Sequence, residues 1–261
     1  MRMLRQIKNL FAFLTVLPFR MDMDYLVDSA KIMWMFPLVG AFLGLLAGVF
    51  GWVASHFLPA FVVGALVLGV LLLLTGLHHT DGLLDFGDAV MYSGPAERKL
   101  EIMHDQLTGA GAIGLGIVTY LVTAFAFVSV AQANGIVVFG LSVPLIVSGL
   151  IAVELGAKLA MVVATWAGKS VRKGMNSPFM DAMHGKYGGL RLVTALVLSF
   201  AIAVPLLGAA GFFTVLASVL SGLVTVAVAH RHFGGITGDV LGATNELVRM
   251  VCVVVLLAML R

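Results

Sequence analysis

Long apolar runs constrain the fold of this chain more than any other feature. Seven stretches of about 18 to 30 residues are almost wholly apolar: 34–56, 59–79, 109–131, 136–165, 190–207, 210–229 and 240–260. A helix needs about 20 apolar residues to cross a bilayer. With 61% apolar and only 11% charged residues, a water-soluble fold could not cover this surface. We therefore predict an all-α, polytopic membrane helix bundle of about seven transmembrane helices, in a single membrane-embedded domain spanning 1–261.

Two segments differ from plain membrane-spanning helices. The stretch 136–165 is overlong and contains Pro144, which predicts a tilt, a kink or a preceding re-entrant turn. No β pattern is expected anywhere in the chain. The first residues alternate apolar and basic positions at helical spacing, which predicts an N-terminal interfacial helix rather than a cleaved leader. Its apolar positions are Leu4, Ile7, Phe11 and Leu14, and its basic positions are Arg2, Arg5 and Lys8.

Lysine and arginine lie almost entirely on one side of the predicted topology. They occur before the first stretch and after the second, fourth and sixth, whereas the loops around 57–58, 132–135 and 208–209 carry none. Because basic residues accumulate on the cytoplasmic side, the N-terminus and the long polar segments are predicted to be cytoplasmic. We expect a multi-pass protein of the bacterial inner (cytoplasmic) membrane, with its chemistry facing the cytoplasm.

The densest polar motif follows the second apolar stretch. Asp81, Asp85 and Asp88 have i, i+4, i+7 spacing, so on a helix they form one line of carboxylates, here called the aspartate stripe. Like charges at this spacing repel unless a cation neutralises them. Carboxylates are ligands for Mg²⁺ and similar hard ions, and nearby glycines allow a ligand to approach. The alternative is a solvated acidic loop at a helix end.

A second polar group follows at 97–105. On a helix its charged residues share one face: Glu97, Arg98, Glu101, His104 and Asp105. This mixture suits a metal–phosphate site, and equally an ordinary amphipathic helix with i,i+4 pairs. The adjacent Gly109–Gly114 segment matches a dinucleotide fingerprint in letters only, since no strand precedes it. Its glycines favour close helix packing, and a phosphate at this helix N-terminus stays open.

Three further features combine charge with membrane helices. Lys173 belongs to a basic segment, 169–174, that either grips anionic groups or contacts lipid headgroups. Glu154 and Lys158 lie one turn apart within a span and are expected to pair with each other. A glycine-rich turn at 230–246 leads into the last span. Asp239 there either caps the helix or joins Asn245 and Glu246 in a site.

Several of these motifs together resemble one known family. His79 to Asp88 reads H-T-D-G-L-L-D-F-G-D, Arg98 to Asp105 reads R-K-L-E-I-M-H-D, and Gly235 to Ala243 reads G-I-T-G-D-V-L-G-A. These segments, with Phe36–Gly40 and the opening Phe13–Pro18, resemble the motifs of the cobalamin synthase family, in order and over nearly the whole chain. One departure is Gln106-Leu107 after Asp105, which puts a family arginine at that place in doubt.

The resemblance implies a metal-dependent phosphotransferase. α-Ribazole or its 5′-phosphate would attack adenosylcobinamide-GDP, releasing GMP and completing the nucleotide loop of the cobamide. Mg²⁺ is the expected cofactor, and the lipid bilayer and these substrates are the expected partners, without nucleic acid; homo-oligomerisation is left open. The predicted catalytic residues are Asp81, Asp85, Asp88 and Asp239. The predicted substrate-binding residues are His79, Arg98, Glu101, His104, Asp105, Lys173, Asn245 and Glu246. The predicted metal ligands are Asp81, Asp85, Asp88, Glu101 and Asp105.

Two rival functions fit parts of the sequence. A CDP-alcohol phosphotransferase of lipid head groups also uses helical aspartates, but its D-x-x-D-G-x-x-A-R order is absent. A cation transporter is suggested by Glu154, Lys158 and Glu246 within spans. Such a transporter calls for acidic residues toward both faces, and the outer loops offer none.

Overall fold

The protein is a bundle of apolar α-helices. A computed structural model describes residues 2–138 and 140–261. Within them, six helices of 20 to 25 residues are long and apolar enough to cross a membrane. The described helices are α1 Arg2–Leu14, α2 Tyr25–Lys31, a 3₁₀ turn Met33–Met35 that leads into α3 Phe36–Ala54, α4 Ala60–Leu74, α5 His78–Met91, α6 Ala96–Ile102, α7 Ala110–Gln132, α8 Leu145–Ala167, α9 Ser177–His184, α10 Gly188–Leu207, α11 Ala209–Phe233 and α12 Gly238–Met259. This confirms the predicted all-α, polytopic fold class.

The second predicted span is interrupted. The apolar run 59–79 becomes α4, which ends at Leu74, and α5 then leaves at an angle of 97°. Gly76 and Leu77 make the bend with positive φ angles of 63° and 61°. The bundle therefore has six spans, or seven if α4 and α5 are counted as one broken crossing. Because of the bend, α5 does not continue along the axis of α4.

The fourth predicted span is also shorter than expected. Ile136–Val138 and Leu141–Val143 form an antiparallel hairpin, with Ile136 opposite Val143. The expectation that no strand occurs was therefore wrong. The apolar, β-branched residues that suggested a membrane helix form strands instead, since these residue types also favour sheets. Pro144, which lacks an N–H, is the N-cap of α8. Of the tilt, kink or preceding turn that were expected, the structure shows a turn before Pro144, in the form of this hairpin.

Helix α8 is the centre of the bundle. Most of its residues are buried, and α3, α10, α11 and α12 pack around it. Glycines of α3 permit the tightest of these contacts: a Cβ at Gly48 would lie 2.7 Å from Val147 Cα. Small residues bring helix backbones together in this way inside membranes, where apolar attraction between helices is weak.

The N-terminal helix is present as predicted and is bound to the segment that follows it. Arg5 Nε lies 2.9 Å from Asp28 Oδ2, and Lys8 Nζ lies 2.9 Å from Asp22 Oδ2. Asn9 and Leu10 are buried against the protein, while Leu4 is 73% exposed. An amphipathic helix with this arrangement suits a membrane surface. Its position at the membrane interface stays a prediction.

Candidate active site

Three polar segments that are far apart in sequence meet at one end of the bundle. The loop after α8 pairs with the loop before α12, since Ile236 N donates to Lys169 O at 2.7 Å and Val171 N donates to Ile236 O at 3.3 Å. The segment after α6 joins them through Thr237 Oγ1, which lies 3.3 Å from Met103 Sδ. These contacts bring parts of 81–105, 169–187 and 230–246 together at one end of the bundle.

The aspartate stripe lies on a helix, as its spacing predicted. Helix α5 carries Asp81 exposed to solvent, and Asp85 and Asp88 partly buried. The opposite face of α5, with Leu83 and Phe86, is buried in the core. The chain thus forms an amphipathic helix here, with carboxylates on one side and apolar residues on the other.

Asp88 has hydrogen-bond partners at the start of another helix that the sequence did not suggest. Its Oδ2 accepts a hydrogen bond from Gly109 N at 2.6 Å, and its Oδ1 accepts one from Ala112 N at 2.8 Å. Both donors belong to the start of α7, where backbone N–H groups lack helical partners and favour a negative charge. The anion at this helix N-terminus is therefore Asp88, and a substrate phosphate cannot take the same two donors.

Two glycines of this region, Gly82 and Gly111, serve helix packing rather than ligand approach. A Cβ at Gly82 would lie 2.8 Å from Asp239 O, and a Cβ at Gly111 would lie 2.7 Å from Gly87 O. The expected role of the Gly109–Gly114 segment in packing thus holds for Gly111. Gly114, in contrast, faces open space.

The carboxyl group of Asp85 lies among three other carboxylates at this end of the bundle. Burial, followed by the charges of Asp81, Asp239 and Asp88, raises the pKa of Asp85 from 3.8 to about 7. The carboxylates of the stripe and Asp239 therefore share one negative region. Such a region attracts a cation or the positive part of a ligand.

Asp239 lies beside His104 at the edge of this region. Asp239 Oδ2 is 3.9 Å from His104 Nδ1, and it accepts a hydrogen bond from Thr237 Oγ1 at 3.3 Å. The cap of α12 is Thr237, which accepts from Val240 N at 3.3 Å. The alternative in which Asp239 caps this helix was therefore wrong, and its carboxylate is left facing α5 and His104.

The donor set fits a hard divalent cation in part. Among residues 2–138 and 140–261, no three His, Cys, Asp or Glu side chains are close enough to hold a metal ion by themselves. Mg²⁺ commonly takes only one or two carboxylates and completes its shell with phosphate oxygens and water. The negative region around Asp85 meets that smaller requirement. Asp81, Asp85 and Asp239 are the candidates from which one or two carboxylate ligands would come.

The second polar group is organised differently from the expected single face. Helix α6 ends at Ile102, so His104 and Asp105 lie beyond it. Arg98 Nη1 pairs with Glu101 Oε2 at 2.5 Å on the exposed side, and Asp105 Oδ1 accepts from Leu107 N at 3.2 Å. Of this group, only His104 contacts an aspartate of the negative region.

Glu154 and Lys158 do not pair with each other, contrary to expectation. Glu154 instead accepts hydrogen bonds from Arg249, with Nη2 to Oε2 at 3.0 Å, and Lys158 Nζ donates to Asn245 Oδ1 at 2.6 Å. Arg249 also pairs with Glu246. The members of this buried charge network are Glu154, Lys158, Asn245, Glu246 and Arg249, and all lie between α8 and α12. Asn245 and Glu246 thus bind protein groups, and their predicted contact with substrate stays a prediction.

The other predicted substrate contacts occupy contrasting places. His79 is buried where α5 meets α12, and its Nδ1 has no hydrogen-bond partner among the described residues. Lys173 is exposed in the loop between α8 and α9. The predicted contacts of His79 and Lys173 with substrate stay predictions.

Some pairings at this face were not anticipated. Lys99 Nζ lies 2.7 Å from His232 Nδ1, and Tyr120 Oη donates to Thr80 Oγ1 at 2.9 Å. The sequence offered one sign that Lys99 has a partner, which is its place beside the apolar Leu100 on a short helix. No spacing rule connects Lys99 to a partner 133 residues away.

Fold and site together define a polytopic membrane protein with an acidic site at one end of its helix bundle. Comparison with known proteins then identifies the family of membrane proteins to which the chain belongs. The sequence model of Cobalamin-5-phosphate synthase (CobS) matches residues 6–257. The chain therefore belongs to the cobalamin-5-phosphate synthase family.

Curated relatives agree over nearly their full length. The adenosylcobinamide-GDP ribazoletransferase of Methanocella arvoryzae is 33% identical over 99% of this chain and 97% of its own. Those of Methanosarcina barkeri and Methanococcoides burtonii are 30% and 29% identical, over 97% and 96% of this chain and 92% and 90% of their own. No solved structure matches the chain.

Proposed function

We propose that the chain is an adenosylcobinamide-GDP ribazoletransferase of cobalamin biosynthesis. Family membership and the names of the relatives support this function. The substrates are adenosylcobinamide-GDP and α-ribazole or its 5′-phosphate. The two rival functions, head-group phosphotransferase and cation transporter, are named neither by the matching family nor by the relatives.

The observation that carries the site assignment is the contact between α5 and the start of α12. It places Asp239 beside Asp81 and Asp85, although more than 150 residues separate them in sequence. A pyrophosphate substrate brings several negative charges to the protein. An acidic site can receive it only if a cation comes with it, which is how enzymes of phosphoryl transfer commonly neutralise such charge.

The reaction moves one phosphoryl group between two oxygens. A hydroxyl oxygen of the ribazole forms a bond to the phosphorus attached to cobinamide, the bridging bond to GMP breaks, and GMP leaves with the electron pair. The hydroxyl proton must go to a base. The Asp239 carboxylate, beside His104, is the group that we assign to this role.

We further propose that Mg²⁺ acts at this site. Asp81 and Asp85 would hold the ion, which when bound would supply positive charge to the transferred phosphoryl group and the departing GMP. Asp88 binds the start of α7, and its catalytic and metal-binding roles stay predictions. Glu101 and Asp105, which have local partners, are further candidates as ligands, and Arg98 and Lys173 are candidates for phosphate binding.

The location is proposed from charge distribution. The multiple apolar helices make this a multi-pass membrane protein. We propose that the site faces the cytoplasm, where basic loops accumulate. The relatives reported above are archaeal, so the cytoplasmic membrane is the location proposed, and a bacterial inner membrane stays a prediction.

The test is a direct assay of GMP release. Purified protein in detergent or lipid is incubated with adenosylcobinamide-GDP, α-ribazole 5′-phosphate and Mg²⁺, and GMP and the cobamide are separated by chromatography. Asp85→Asn should abolish turnover while the protein still accumulates in the membrane. The matched control is Asp181→Asn, because Asp181 is an exposed aspartate on α9 outside the negative region.

Three outcomes would decide between the parts of this proposal. Absence of GMP from the wild-type protein would contradict the function. Normal turnover by Asp85→Asn at ordinary Mg²⁺ concentration would contradict the metal assignment. Recovery of that variant with excess Mn²⁺ would support ligation and place more of the catalytic burden on Asp81 and Asp239.

A further inference from the structure

The buried charge network places two acids and two bases in the interior of a membrane protein. Glu154 and Lys158 come from α8, and Asn245, Glu246 and Arg249 come from α12, with none of the five more than 1% exposed. Its formal charges cancel. Charged side chains within membrane spans are costly and usually have a functional reason. The proposed chemistry involves none of these five side chains directly, so that reason has to be sought elsewhere.

The network links α8 and α12 by directional bonds. The Arg249 guanidinium reaches Glu154 on α8 with two of its nitrogens and Glu246 on its own helix with the third. Asn245 donates to Glu246 Oε1 at 2.9 Å and accepts from Lys158 at 2.6 Å. A guanidinium bound through this planar fork fixes both distance and orientation, whereas apolar contacts between helices permit sliding and rotation.

The same part of α12 supports the helix that carries the aspartate stripe. A Cβ at Gly242, one turn before Asn245, would lie 3.3 Å from His79 Cα, and Gly82 lies against Asp239. Helix α5 therefore rests on the first turns of α12 at two points. Any movement of α12 along α8 would shift Asp239 relative to Asp81 and Asp85.

We infer that Glu154, Glu246 and Arg249 are positioning residues for the transferase reaction, which hold α12 in the register that places Asp239 beside the aspartate stripe. The inference rests on the proposed function. A purely cohesive role for the network would not require charge, because apolar residues of similar volume often replace buried ion pairs without loss of stability.

The test uses a double substitution that keeps the interior neutral. Glu154→Gln together with Arg249→Met removes one acid and one base, and leaves Glu246 and Lys158 to balance each other. The variant should fold with a normal thermal midpoint and a KM for adenosylcobinamide-GDP within about threefold of wild type. Its kcat should fall about 100-fold, the size of effect expected when reacting groups are misplaced by about 1 Å. The Mg²⁺ concentration for half-maximal activity should rise.

The matched control reduces packing in the same two helices without touching the network. Leu155→Ala with Val248→Ala removes two fully buried apolar side chains. This variant should lose thermal stability but keep its kcat and its Mg²⁺ requirement. A control that lost kcat as severely as the network variant would overturn the inference, because general loosening would then explain both.

The remaining outcomes also decide the question. If the network variant kept its kcat within threefold of wild type, the inference would be wrong while the proposed function survived. If the network variant failed to accumulate, Arg249→Lys would replace it, since it keeps the charge but loses the fork. Reduced kcat in a stable Arg249→Lys protein would support positioning. A normal kcat in Arg249→Lys, or failure of Arg249→Lys to fold, would overturn the inference. A wild-type protein without GMP release would count against the function alone.

Discussion

Gly82 on α5 lies directly against Asp239 on α12, so that a Cβ at position 82 would approach Asp239 O to 2.8 Å and Asp239 Cα to 3.0 Å. Both contacts are to backbone, which cannot rotate away as a flexible side chain can. The absence of a side chain at Gly82 is therefore what allows the aspartate stripe and Asp239 to share one negative region.

Gly82→Ala should separate these two helices and impair the reaction. The methyl group has no space, so α5 or α12 must move by several tenths of an ångström. We expect kcat for GMP release to fall at least about tenfold, because small displacements of reacting groups are expensive. The measurement is steady-state kinetics on purified protein, together with a thermal unfolding curve.

The control for this substitution is Gly114→Ala in α7. Gly114 also lies inside a helix, but a Cβ there would meet no atom within 4 Å. Alanine is the better helix former by about 1 kcal/mol, so Gly114→Ala should keep full activity and unchanged or slightly higher stability. Equal loss of activity in both variants would mean that α-helical glycines here matter for a reason other than this contact.

Asp88 and Asp85 should respond to substitution in opposite ways. Asp88→Ala removes a carboxylate that accepts two hydrogen bonds from the start of α7, and should cost about 1–3 kcal/mol of stability. Asp85→Asn relieves repulsion among carboxylates and should leave stability unchanged or increased, while activity is lost. Thermal midpoints measured without divalent cations would show the contrast. A larger loss of stability for Asp85→Asn would contradict it.

Binding of Mg²⁺ should weaken as the pH falls through neutrality. The folded-state pKa of Asp85 is raised from 3.8 to about 7, mainly by burial, so the folded protein holds this proton more tightly than the unfolded chain does. The associated stability is present at low pH and is lost as the pH rises toward 7. A cation that binds the ionised carboxylate offsets this loss, but it must compete with the proton below pH 7.

The expected difference is about tenfold in Mg²⁺ affinity between pH 8 and pH 6, as one proton competes with the ion over one unit below the pKa. Calorimetric titration of the ligand-free protein measures it. In Asp85→Asn the affinity should be low and nearly independent of pH. An affinity that rose toward pH 6 in the wild-type protein would rule out Asp85 as the competing group.

Local patterns in the sequence predicted the parts of this site that depend on local spacing. The i, i+4, i+7 positions of Asp81, Asp85 and Asp88 required only a helix to align them, and α5 supplies it. The apolar runs similarly predicted most spans. Helix bends and strands were harder, because the run 59–79 does not reveal that Gly76 and Leu77 adopt left-handed backbone conformations.

Contacts between distant segments could not be predicted in the same way. Glu154 appeared to have a partner one turn away in Lys158, but Arg249 on another helix binds it instead. Asp88 appeared equivalent to its two neighbours in the stripe until the start of α7 was placed beside it. In both cases, tertiary packing selected one partner from several that were chemically acceptable.

The last prediction concerns the orientation of the chain in the membrane, which depends on α4. This helix has 15 residues, about 22 Å at 1.5 Å per residue, which is short for a hydrocarbon core of about 30 Å. It could therefore be half of a re-entrant loop with α5. However, Val16 N donates to Leu74 O at 2.9 Å. The C-terminal end of α4 therefore lies beside the C-terminal end of α1, on the side of the bundle that holds the N-terminal helix.

We therefore expect α4 to cross the membrane, giving seven crossings with the N-terminus in the cytoplasm and the C-terminus outside. Reporter fusions at residues 95 and 180 should give a cytoplasmic signal, and fusions at 134 and 209 an external one. A re-entrant α4–α5 pair would reverse every position after it, so that 134 and 209 read cytoplasmic and 95 and 180 external. The four fusions thus separate the two topologies completely. A cytoplasmic signal at 134 would also remove the basis for placing the aspartate stripe on the cytoplasmic side.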